Sequence, residues 1–69
     1  MTLHIGRPPL LHPGDTIHAT WIDHGHLAAG WVTVTDTRHR AGAVHLTIRT
    51  ATTERDITLG WNDPVVIAS

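Results

Sequence analysis

Gly30-Trp31-Val32-Thr33-Val34-Thr35-Asp36-Thr37-Arg38-His39-Arg40-Ala41-Gly42-Ala43-Val44-His45-Leu46-Thr47-Ile48-Arg49-Thr50 reads as two alternating strands around a polar turn. In the first, Gly30–Asp36, Val32 and Val34 fall on one side, and Trp31, Thr33 and Thr35 on the other. In the second, Ala43–Thr50, Val44, Leu46 and Ile48 oppose His45, Thr47 and Arg49. A period of two in β-branched residues marks strands with one buried face. Thr37–Gly42 is the turn between them, and every other segment can be placed relative to this pair.

Toward the C-terminus, Ala51–Glu54 reads as a hairpin loop and Arg55–Trp61 as a strand, with Ile57, Leu59 and Trp61 facing inward. Asn62-Asp63-Pro64 ends it, because proline cannot continue a ladder, and Val65–Ala68 is a short closing strand with Val66 inward. Toward the N-terminus, Asp15–Trp21 alternates Ile17, Ala19 and Trp21 against Thr16, His18 and Thr20. Residues 22–29 form the longest connection, read as a loop on account of Gly25 and its two flanking histidines. His12-Pro13-Gly14-Asp15 places Pro and Gly at the centre of a type II turn. Residues 1–14 form an extended arm: Thr2–Ile5 has the alternation of a short edge strand, Pro8 and Pro9 exclude helix, and Leu10 and Leu11 are expected against the core. The expected division is an arm, 1–14, and a small β-barrel, 15–69.

Five short strands, one long first loop, two tighter hairpins and a one-turn link before the last strand match the pattern of an SH3-like small barrel over roughly residues 13–68. The Pro13-Gly14-Asp15 turn with alternating strands after it also resembles KOW-type barrels. The tyrosines of an SH3 peptide groove are missing, since the chain has no Tyr. The chain is further similar to short actinobacterial or phage proteins with a Pro-Gly-Asp turn, a Trp-x-Val-Thr strand and a late Asp-Pro turn, a likeness that brings no activity with it. A five-stranded OB-like barrel is the alternative, though OB folds usually use a longer chain and a helix. The fold class expected is all-β.

Sixty-nine residues allow one domain near the lower limit for a self-sufficient core. The chain has no Cys, which removes disulfides and thiolate metal sites, and no signal-like apolar run, so a cytoplasmic protein without a membrane segment is expected. Five Arg, six acidic residues and a formal charge of −1 argue against strong sequence-independent nucleic-acid binding. Seven His would make the surface more positive just below neutral pH.

Pairing the strands about the expected loops sets Trp31 across from Arg49, Thr33 from Thr47 and Thr35 from His45, with Asp56 beside Arg49 and Thr20 beside Trp31. The exposed row Thr20, Trp31, Arg49, Asp56 then joins an aromatic face, a cation and an acid. It reads either as a contact surface with Trp31 as platform, or as Arg49 lying on Trp31 and covering the sheet. Arg38, His39 and Arg40 form a basic turn, the candidate anion contacts, with no aromatic residue interleaved. His24-Gly25-His26 after Asp23 has chelating spacing, but a structural site wants four ligands and would need His18 or His4 to come round; solvated loop histidines are the simpler reading. Catalysis is poorly supported: there is no Cys or Lys, the only Ser is Ser69, no glycine-rich phosphate loop exists, and the Thr35–His45 pairing is no more than strand composition provides.

The expectation is a non-catalytic interaction module without cofactor or metal, binding a protein partner or a second copy through the Trp31 face. Nucleic-acid binding with pH- and salt-dependent affinity is the alternative, and an accessory subunit of a larger assembly such as a phage particle is a third.

Overall fold

The computed structural model describes residues 2–68; Met1 and Ser69, the ends of the expected arm and barrel, lie outside the described residues. Six strands make a single antiparallel sheet: β1 (Leu3–Gly6), β2 (Thr16–Asp23), β3 (His26–Arg40), β4 (Ala43–Arg49), β5 (Glu54–Gly60) and β6 (Val65–Ala68). Their order across the sheet is β1-β6-β2-β3-β4-β5, so β1 and β5 are edges and hydrogen bonds do not close the sheet into a barrel. The all-β expectation holds. The five-strand count becomes six because Leu3–Gly6, read as part of an arm, pairs with β6. Among the described residues no helix is long and apolar enough to cross a membrane.

Two connections are tighter than expected. Residues 22–29 are not a loop: β2 runs to Asp23, β3 starts at His26, and only His24 and Gly25 turn the chain, at φ 50° and 80°. Positive φ at both central residues is what a two-residue type I′ hairpin needs, and it matches the twist of its strands. Likewise Thr37–Arg40 belong to β3, and Ala41 and Gly42, at φ 50° and 78°, form the turn. The Pro13–Gly14 turn is as expected, with Gly14 at φ 100° and the Asp15 amide donating to the His12 carbonyl at 3.1 Å.

β3 is therefore fifteen residues long. Extended at ~3.3 Å per residue it would span about 50 Å, but the molecule extends only 32 Å along its longest axis. The strand must bend. It pairs with β2 through His26–Thr33 and with β4 through Thr33–Arg40. At Thr35 an extra residue is bulged out, shifting the register between Val34 and Asp36, and a bulge of this kind bends its strand and raises the local twist.

The concave face holds the core: Ile17, Ala19, Val32, Val34, Val44, Leu46, Ile48, Val65 and Ile67, with Leu11 brought in from the N-terminal segment. Trp21, Ile57 and Leu59 pack on it. Trp21 fills the space beside Gly30, its Cη2 lying 3.8 Å from where a Cβ would sit. The Pro8–Leu10 3₁₀ turn buries Pro8 and aims Leu11 inward, leaving Leu10 exposed rather than pinned to the core. Two other inward assignments also change. β5 stops at Gly60, where the Asp63 carboxylate accepts from the Gly60 amide at 2.8 Å, so Trp61 lies in the turn, exposed, with its ring edge-on to His39. In β6 the parity is the reverse of that expected: Ile67 is 8 % exposed and Val66 36 %. Residues 65–67 are all apolar, so periodicity leaves the face open, and pairing of Ile67 with Ile17 and of Val66 with His18 decides it.

One polar contact crosses the concave side. Arg55, beside Ile57 and Leu59 on the inward face of β5, donates from Nη2 to Asp23 Oδ1 at 2.6 Å, tying the sheet's edge to the end of the β2–β3 hairpin. Its Nε is buried without a partner.

Two measurements test this packing. Ile67→Ala should cost about 2–5 kcal/mol by leaving a cavity, and Val66→Ala well under 1 kcal/mol; thermal melts should separate them clearly, since 1 kcal/mol is about 4–8 °C in so small a domain. Asp23→Ala, which strands a partly buried guanidinium, should cost about 1–2 kcal/mol and more than Arg55→Met, which removes the need for a partner; equal losses would show that the pair contributes only through its charge.

Candidate functional site

The convex face divides in two at the bulge. On β1, β6, β2 and the first half of β3, residues paired in register point to the same side. One row runs Ile5–Val66–His18–Trp31 across four strands, and the next runs Leu3–Ala68–Thr16–Thr33. Toward the hairpin end follow Thr20 with Ala29, then Ile22 with Leu27. No Asp, Glu or Arg stands in any of these rows, yet Leu3, Ile5, Val66, Trp31, Ile22 and Leu27 are all large, apolar and exposed. The rings of His18 and Trp31 meet edge to face, centroids 5.3 Å apart, and Trp31 remains 45 % exposed. Water faces this sheet surface where a second layer would normally cover it.

Beyond the bulge the convex face is polar. Asp36, Arg38 and Arg40 pair with Thr47, His45 and Ala43 of β4, which in turn pair with Asp56, Thr58 and Gly60 of β5. Arg38 lies 3.7 Å from Asp36 and 3.8 Å from Asp56. Thr47 donates its hydroxyl to Asp56 at 2.8 Å, and Thr58 shares a hydrogen bond of 3.0 Å with His45 Nδ1. The bulged Thr35 donates to the Thr47 carbonyl at 3.1 Å, and its hydroxyl lies 3.3 Å from a Glu54 carboxylate oxygen. Arg38, Arg40, His45 and Asp56 line a shallow cleft of about 220 Å³. These charges are mixed: Arg38 lies between two carboxylates, while Arg40 makes no ion pair among the described residues.

The row Thr20, Trp31, Arg49, Asp56 does not form. All four are convex-facing, but Trp31 pairs with His18, Thr20 with Ala29, Arg49 with Thr33 and Glu54, and Asp56 with Thr47. The pairs expected of β2, β3 and β4 are displaced because the hairpin turns lie at His24–Gly25 and Ala41–Gly42 and the bulge adds a residue, and the Arg49–Asp56 pair because the β4–β5 turn closes over Thr50–Thr53, setting Glu54 opposite Arg49. Trp31 thus sits among apolar neighbours, without Arg49 as a cover. Thr35 and His45 likewise do not pair; Arg38 occupies the place opposite His45. The basic turn is also dispersed, with Arg38 and Arg40 on the convex side in β3, and His39 on the other side against Trp61.

Sequence pattern alone does not place Leu3, Ile5, Ile22, Leu27 or Val66 on an exposed face. A signal for two of them was present: Ile22-Asp-His-Gly-His-Leu27 is symmetric about a residue-Gly pair, the mark of a two-residue hairpin. His24 and His26 flank that turn, and His24 lies 3.6 Å from Asp23, which Arg55 also engages. Among the described residues no three His, Asp or Glu side chains are grouped to hold a metal ion.

No known family model, curated protein or solved structure matches the chain.

Two imidazoles at a hairpin turn bind divalent metal only weakly and transiently. Protein exposed to Zn²⁺ and then dialysed should retain well under one equivalent by elemental analysis; a full equivalent lost in His24→Ala would establish a site there.

Proposed function

We propose that this chain is a non-catalytic interaction module whose contact surface is the uncharged convex face of β1, β6, β2 and the first half of β3. One observation carries the reading: six large apolar side chains exposed together on a face without a formal charge, in a chain with eleven charged residues elsewhere. At the exposures they show, these six offer on the order of 600 Å² of apolar surface, at the top of the ~300–600 Å² range for the largest patch on a typical monomer. Burying it is worth on the order of 10 kcal/mol before the costs of association.

The polar half gives less support to nucleic-acid binding. Arg38 is held between two carboxylates, and a duplex-binding surface needs several cations free to displace counterions. An enzyme is unsupported for a related reason: His45 meets Thr58 in the open, with no carboxylate to orient it and no enclosed pocket around it among the described residues. The long, bent β3 shared between two hairpins supports an SH3-like reading of the fold, and a cysteine-free chain suits the cytoplasm.

Variants on the two halves test the proposal. Leu27→Asp and Trp31→Ala should weaken protein association about 10-fold or more, with thermal midpoints near that of the wild type. Arg40→Ala should change neither. Binding to DNA or RNA that falls steeply with salt and is lost in Arg40→Ala would overturn the assignment in favour of the polar half.

A further inference from the structure

We infer that the partner on this face is a second copy of the chain, packed face to face across a two-fold axis that runs crosswise to β2 and β3. The inference rests on the interaction-module reading and specifies its occupant. Three features of the face point to self-association.

The first is charge. An isologous contact packs one patch against its own copy, so a patch charged with one sign meets like charge across the axis. This face carries no Asp, Glu or Arg, and can meet itself without that penalty.

Area is the second. A standard interface takes about 800 Å² from each partner. The exposed apolar side chains, with the intervening Thr16, Thr20, Ala29 and Thr33, come to that order, on a molecule whose larger extents are 32 and 28 Å.

Relief is the third and most specific. Along the β2–β3 pair the cross-strand rows alternate in bulk: Thr16/Thr33 small, His18/Trp31 large, Thr20/Ala29 small, Ile22/Leu27 large. Rows of this kind stand about 6.8 Å apart, two residues of a strand. A two-fold axis between the second and third rows reverses the order in the other copy. The His18/Trp31 ridge then lies in the other copy's Thr20/Ala29 trough, and the Ile22/Leu27 ridge over its Thr16/Thr33 row. Every ridge meets a trough, as interdigitating sheet faces require.

Sedimentation velocity across a wide concentration range, on full-length protein checked for folding by circular dichroism, reads the outcome. The wild type should form dimers. Ala29→Arg, which fills the trough with a charge, should raise the dissociation constant about 10-fold or more, and Thr58→Arg on the polar half should leave it unchanged. Trp31→Ala and Ala29→Trp should each weaken the dimer, and the double variant, which exchanges ridge and trough, should recover much of the loss; Leu27→Asp serves if Ala29→Arg does not fold. A wild type monomeric at every concentration overturns the inference but not the module, which is judged separately by protein association in the Leu27→Asp variant. A dimer indifferent to Ala29→Arg and broken by Thr58→Arg overturns both.

Discussion

A fifteen-residue strand in a molecule 32 Å long has to turn a corner, and where β3 turns determines most of what surrounds it. Before Thr35 it belongs to the hairpin with β2; after it, to the hairpin with β4. The bulge also reverses which alternate residues face the core, so Trp31 and Thr33 share the convex side with Asp36 and Arg38 despite the odd spacing. Without that extra residue strict alternation would turn Asp36, Arg38 and Arg40 toward the concave side, where the core lies. With it, the strand carries two surfaces of different chemistry at an angle to each other.

The same bend gives so short a chain a core. A flat sheet of this size would leave both faces to water, whereas a coiled one packs its concave side on itself, with Leu11 and Trp21 filling the gaps. Arg55 occupies the open seam of the coil and Asp23 meets it there. An inward charge on an edge strand is also a familiar defence against pairing with other chains, since a foreign strand would have to strip it of its partner. That protection lies on β5; the other edge, β1, carries no Asp, Glu or Arg.

How far the sequence was legible follows from these elements. Alternation gives the inward faces of β2, of β3 at Val32 and Val34, of β4 and of β5, because each has one polar and one apolar side. It failed in β6, where Val65, Val66 and Ile67 are equally apolar and tertiary pairing makes the choice. Trp31 was recognisable as exposed, but its neighbours were not, for cross-strand partners depend on the exact turn and on every bulge. A one-residue error in the centre of the turn moves each partner by two residues: Trp31 faces His18 where Thr20 is expected. His24-Gly25 is hard to place because glycine beside histidines suits a loop, although a left-handed pair of residues is just as well served by it.

β6 lies between β1 and β2, bonded on both sides, although it is the last strand of the described chain. β2 to β5 form a meander in which each strand pairs with the next, through turns short enough to close rapidly. β6 must instead reach back across some fifty residues to Ile17, and β1 has no strand to pair with until β6 has docked. Assembly is therefore expected in two stages of unequal speed, a fast local meander and a slower long-range closure. Half of the apolar convex face, the part built from Leu3, Ile5 and Val66, comes into existence only with the second stage.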